Sequence, residues 1–332
     1  MGARAITTLF PIPEPPVFDL PALEKAAVLV HSVLPPTPQI AWPLLAERTG
    51  CEIFVKHENH QPTGAFKVRG GLVHVDSLMR GERPKGLVSA TRGNHGQSLA
   101  FAGRRAGLAV TIVVPQGNSG EKNAAILAYG AELVESGRDF DEARQMAARI
   151  AEERGFVMVP PFHPELVRGV ATYALEFFRA VPDVAAVYVP IGLGSGICGL
   201  IETRDLLGLK TEIVGVVSTE ADCYAQSFEQ GRIVTTQSAI TLADGMACRV
   251  PMPEALEIIR RSAARIIRVG DAEVAAAIRA YHEDTHNMAE GAGAAPLAAL
   301  MQERDKQKGK RIGLILTGGN IDRRLYAEVI GG

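Results

Sequence analysis

From about Lys85 onward, short apolar runs alternate with segments whose apolar positions recur at helical spacing. The runs GLVSA (86–90), VTIVV (110–114), AELVES (131–136) and FVMVP (156–160) predict strands. The stretches 96–106, 121–129 and 140–154 between them predict helices. The second half repeats the style, with strands predicted at 186–192, 212–218, 265–270 and 311–319. Strand–helix alternation over this length defines an α/β chain with a largely parallel sheet. No internal repeat, low-complexity tract or long linker interrupts it. The Lys/Arg-rich stretch 304–311 reads as a solvated helix end rather than a binding patch.

Glycine clusters sit where the strands end. RGNHG follows GLVSAT, GLGSG follows VYVPI, and GGN follows GLILT. Earlier, GAFKVRGG (64–71) follows the apolar run Ile53-Phe54-Val55. In open parallel sheets ligands bind beyond the carboxyl ends of strands, so these turns share one functional edge.

Composition narrows the class. With 332 residues, 47% hydrophobic and 22% charged, the chain can bury a large core and form two lobes. A formal net charge of -2 gives no footprint for nucleic acid or an anionic membrane. The apolar runs are too short to span a bilayer. The N-terminus lacks a signal-peptide pattern, and behind Gly2 an isoleucine, Ile6, stands where a myristoylation signal needs Ser or Thr. Cys51, Cys198, Cys223 and Cys248 are widely spaced without C-x-x-C, which reads as reduced, buried thiols of a cytoplasmic protein.

The glycine loops then carry the chemistry. In PIGLGSGICG, Gly192, Gly194, Ser195 and Gly196 let backbone N–H groups approach an anion at a helix start. A simple tight turn is the plainer alternative. The pattern fits neither a dinucleotide fingerprint nor a P-loop, and a phosphate monoester suits it better. In TRGNHGQS, loop amides could hold a carboxylate; His95 is either a base or a structural histidine. Thr317 puts a hydroxyl at the same edge, or caps a helix. Lys67 alone would be a surface residue. Beside a phosphate loop and packed on Phe66, its neutral amine is favoured, as Schiff-base chemistry requires. Phosphate, carbonyl-reactive lysine and a hydroxyl for a ring nitrogen together describe pyridoxal 5'-phosphate.

Six motifs in order, HENHQPTGAFKVRGG, SATRGNHGQSLAFA, PIGLGSGICG, TLADG, EGAGAAPLAAL and LTGGNID, span nearly the whole chain. In them the sequence resembles the fold-type II pyridoxal-phosphate enzymes of the threonine/serine dehydratase and serine racemase branch. The resemblance implies a tryptophan synthase β-like fold of two three-layer αβα domains with mostly parallel twisted sheets. It implies a discontinuous large domain (1–85 and 164–332), a small mobile domain (86–163) and a homodimer. It further implies that Lys67 holds the cofactor aldehyde with Phe66 on the ring, and that Asn94 bonds the phenolic oxygen. Gly192, Gly194, Ser195, Gly196 and Ile197 would cradle the phosphate, and Thr317 would face the pyridine nitrogen. Thr91, Arg92, Gly93 and His95 would line the substrate, with Glu290 near ring or substrate. The implied reaction eliminates water from a 3-hydroxy amino acid, giving a 2-oxo acid and ammonia.

Three departures qualify this. Arg92 stands where racemase-like relatives carry a serine acid–base, and a guanidinium is too basic for that role. Arg92 could pair with a second carboxylate, stack on an aryl ring, clamp the α-carboxylate or turn outward. Where relatives hold a metal ion with a glutamate, this chain has Val216, ahead of Glu220 and Asp222, so a divalent site is doubtful and a monovalent ion remains open. The sequence ends twelve residues after Asn320, which argues for a catabolic enzyme without isoleucine feedback.

Overall fold

The structure is a computed structural model in which residues 17–332 are described; the expectations for Gly2 and Ile6 fall outside that range. Among the described residues ten strands form two sheets. They are β1 (Gln39–Ala41), β2 (Glu52–His57), β3 (Gly86–Ala90), β4 (Ala109–Val114), β5 (Glu132–Glu135), β6 (Val157–Met158), β7 (Ala186–Pro190), β8 (Glu212–Ser218), β9 (Arg265–Val269) and β10 (Arg311–Leu316). The larger sheet runs β1-β2-β10-β7-β8-β9, the smaller β5-β4-β3-β6. Every pairing is parallel except β1 with β2.

The inner strands are apolar along their length because both faces are covered. Val187, Val189 and Ile315 pack under the helices Pro164–Val170, Thr172–Ala180, Ser195–Leu206 and Pro253–Ser262. On the other face Ile53, Tyr188 and Leu314 meet Asp271–Thr285 and Gly291–Gln307. The smaller sheet is likewise a middle layer, between Asn94–Arg105 with Gly120–Ala128 on one side and Phe140–Arg154 on the other.

Helix Lys67–Met79 joins the two layered units. It starts at the edge of the larger sheet, while Val68, Leu72 and Val75 share a core with Leu87, Leu99 and Ile112 of the smaller one. The glycines of GAFKVRGG suggest a loop, yet Lys67 to Gly71 are helical. Gly71 serves packing instead: a Cβ there would stand 2.3 Å from Ser98 Oγ on the crossing helix. The 156–160 run shortens to two strand residues, since Pro160 and Pro161 offer no N–H to a ladder. Residues 304–311 are not one helix end, because the helix stops at Gln307 and Arg311 opens β10.

Behind the start of Lys67–Met79 lies a buried charge cluster. The Arg69 guanidinium, fully buried, donates to Glu58 (2.7 and 2.9 Å) and Glu176 (2.5 and 2.9 Å). Lys56 Nζ, equally buried, reaches Glu176 Oε2 at 2.5 Å and Glu58 Oε1 at 4.0 Å. Two cations thus balance two anions.

Candidate active site

Parallel β2, β10 and β7 deliver their following loops to one crevice. The first two loops are stitched together: Phe66 N donates to Thr317 O (3.0 Å) and Gly319 N to Gly64 O (2.9 Å). That stitching sets Lys67 at the crevice mouth as the first residue of its helix. Lys67 Nζ donates to Ser195 Oγ at 2.8 Å and lies 5.0 Å from the centre of the Phe66 ring. Surrounding protein strips water from the amine and lowers its pKa to about 8, so the neutral form needed for carbonyl addition is accessible.

Ser195 opens helix Ser195–Leu206, whose preceding residue Gly194 has φ +100. A side chain at 194 would be strained, and its Cβ would lie 2.5 Å from Ala255 Cβ. The first helical bond runs from Cys198 N to Gly194 O (2.9 Å), which leaves the N–H groups of Ser195, Gly196 and Ile197 without helical acceptors. With the helix dipole they form an anion cradle directly beside the Lys67 amine. Tyr173 steadies it, its hydroxyl donating to Gly196 O at 2.9 Å and its ring meeting Phe66 edge-on at 6.3 Å. Gly192 precedes the cradle, and Thr317 is buried at the end of β10. Gly194→Ala is expected to weaken cofactor retention roughly tenfold or more, through backbone strain of about 1–3 kcal/mol. Titration of cofactor absorbance against the apoprotein checks this.

The facing wall comes from the loop after β3 and helix Asn94–Arg105. Asn94 Nδ2 donates to Glu290 Oε1 (2.8 Å), while its Oδ1 accepts from Asn320 Nδ2 (2.7 Å). Glu290 is buried and its Oε2 meets no protein partner. Burial raises its pKa to about 7, with Asp244 adding and Lys122 and Asn94 opposing. Thr91 Oγ1 accepts from Gly93 N (3.1 Å), closing the turn. His95 is buried; desolvation and the nearby Lys67 hold its pKa at about 3, so its ring is neutral at neutral pH. The Arg92 side chain, on the same turn, is exposed. Sequence reasoning missed Lys122, Asp244 and Asn320. Asp244 and Asn320 lie inside noted motifs, whereas Lys122 has no signal, being brought in by the helix after β4.

After β8, Asp222 is committed to Arg268 (2.9 Å) and Gln226 (2.7 Å). Among the described residues no trio of His, Cys, Asp or Glu could hold a metal ion. All four cysteines are free and buried.

A lysine amine against an anion cradle, an aromatic face, a buried hydroxyl and an unpaired carboxyl oxygen is a donor set that fits pyridoxal phosphate. The family model for pyridoxal-phosphate dependent enzymes matches residues 31–318, and the chain belongs to that family. It is 39% identical over 286 residues to an L-threonine ammonia-lyase of Geobacter sulfurreducens, covering 86% of this chain and 71% of the relative. It is 32% identical to an L-threo-3-hydroxyaspartate ammonia-lyase of Saccharomyces cerevisiae, covering 89% and 91%. The structure of maize serine racemase superposes with a TM-score of 0.89 at 26% identity, covering 95% of this chain and 97% of that one.

Proposed function

We propose that this chain is a pyridoxal-phosphate-dependent ammonia-lyase that removes water from a 3-hydroxy amino acid of the threonine/serine class. The observation that carries the reading is the Lys67 amine, pKa lowered, held on Ser195 beside the anion cradle. The named ammonia-lyases of threonine and 3-hydroxyaspartate support the substrate class.

Bound at Lys67, pyridoxal phosphate supplies the sink for electrons released at the substrate's α-carbon. The amides of Ser195, Gly196 and Ile197 would hold its phosphate, Thr317 its ring nitrogen and Asn94 its phenolic oxygen. The turn Thr91–Gly93–His95 would hold the α-carboxylate through loop amides. Lys67 would hold the cofactor and would take the α-proton, and its mid-range pKa suits both taking and returning a proton. The β-hydroxyl would leave as water with the proton that Lys67 took from the α-carbon, and the released enamine hydrolyses to a 2-oxo acid and ammonia. Residues 86–163 would close over the crevice and exclude water. Racemisation is the weaker reading: it needs a second acid–base opposite Lys67, and exposed Arg92 is too basic to serve. A homodimer in the cytoplasm completes the proposal; the four free thiols suit a reducing compartment.

The test is 2-oxo acid release from the holoenzyme with L-threonine, L-serine and both diastereomers each of 3-phenylserine and 3-hydroxyaspartate. Release from threonine or serine, unchanged in Arg92→Ala, is expected. Release confined to an acidic or aryl substrate and lost in Arg92→Ala would make Arg92 the specificity residue. No release from any of them sinks the ammonia-lyase reading.

A further inference from the structure

We propose that Lys122 is a positioning residue for the reaction: gripped by Asp244, it braces the substrate turn at Gly93 and presents its charge to Glu290. The proposal rests on the reading that this turn holds the substrate carboxylate and that Glu290 borders the site.

Lys122 lies in the first turn of helix Gly120–Ala128, and three contacts tie that turn to segments of the larger sheet's unit. Lys122 Nζ pairs with Asp244 Oδ2, and Ser119 Oγ donates to Asp322. Arg323 N donates to Glu121 (3.1 and 3.2 Å). The Lys122 side chain is only 10% exposed although its partner Asp244 is 39% exposed. Its stem lies on the substrate turn: a Cβ at Gly93 would stand 2.7 Å from Lys122 Cδ, so a side chain there would have to displace the lysine stem. Burial alone would lower the Lys122 pKa, but Asp244, Glu290 and Asp322 outweigh it and raise it, keeping the amine charged. The charged groups bearing on Glu290 are Lys122, which favours its ionised form, and Asp244, which disfavours it.

The two members of one ion pair therefore act alike as a brace and oppositely on Glu290. Losing either frees the turn. Losing Lys122 raises the Glu290 pKa, and losing Asp244 lowers it. A purely structural pair would not split in this way.

The experiment compares holoenzymes carrying Lys122→Gln, Lys122→Arg and Asp244→Asn, with melting curves to confirm folding. In Lys122→Gln and Asp244→Asn, KM should rise roughly tenfold with a smaller change in kcat, the signature of lost positioning. Because Glu290 borders the site with a pKa of about 7, its titration should set a limb of the kcat/KM pH profile, moving up by about half a unit or more in Lys122→Gln and down in Asp244→Asn. Lys122→Arg should restore most of KM. Independently of turnover, amide hydrogen exchange at 91–96 in the cofactor-free protein should quicken in both disrupting variants. Limbs moving in the same direction, or unchanged KM and exchange, would overturn the proposal. A wild-type enzyme that releases no 2-oxo acid would sink the functional reading alone, because exchange at the turn still decides this one.

Discussion

Lys67→Ala is expected to lose the visible absorption of lysine-bound cofactor and to lower 2-oxo acid release by at least about 10³-fold. The magnitude combines a positioned proton acceptor, worth about 10²–10⁴-fold, with loss of the covalent anchor. The same change should leave the apoprotein as stable as before, or more so, at neutral pH. The sign follows from linkage. The folded-state pKa of about 8 lies below the ordinary lysine value, so between the two the unfolded chain binds the extra proton. Burying this amine therefore costs stability below pH 8, and the cost fades as pH rises through and above that value. A melting temperature that does not fall, beside lost absorption and turnover, separates a chemical role from a structural one. Retained absorption and turnover would remove Lys67 from the mechanism.

Arg69→Met should be the most destabilising single change in the charge cluster, by about 3–5 kcal/mol, because it strands two buried carboxylates on one lysine. Lys56 Nζ touches Glu176 at 2.5 Å but stands 4.0 Å from Glu58, which otherwise accepts from Thr37 Oγ1 at 2.5 Å. Denaturant melts read this directly. The cluster also predicts an acid limb. Burial would raise the Glu176 pKa, but the hydrogen bonds and charges of Arg69 and Lys56 hold it at about 2. Its stabilising contribution is complete above the ordinary carboxylate range and is lost as pH falls toward 2. In Arg69→Met the Glu176 pKa rises toward the ordinary carboxylate value, so this acid-dependent loss should shrink. Because Arg69 sits two residues beyond Lys67 on the same helix, weaker cofactor retention should accompany the destabilisation.

Much of the site is legible in the amino-acid sequence. Strand ends followed by glycine turns announce themselves, since a buried parallel strand is a continuous apolar run and a tight approach to an anion admits few residues but glycine. Lys67 is readable because Phe66 and a phosphate loop make a surface lysine the poorer explanation. The roles of Arg92 and His95 are not readable. Both lie in one short turn, yet one side chain points to solvent and the other is buried, and sequence spacing does not fix which.

By itself, then, the sequence determined the α/β class, the parallel strands and the glycine turns at their ends, because each depends on local periodicity or on a residue's own conformational limits. The tertiary structure alone decided that Lys67 begins a helix bridging two sheets. It alone placed Lys122 and Asp244, 122 positions apart, in one ion pair against Gly93. It also gave Glu290 a buried oxygen with no protein partner. Those features arise where separate elements pack together, and the charge and burial that set their chemistry come from neighbours distant in the chain.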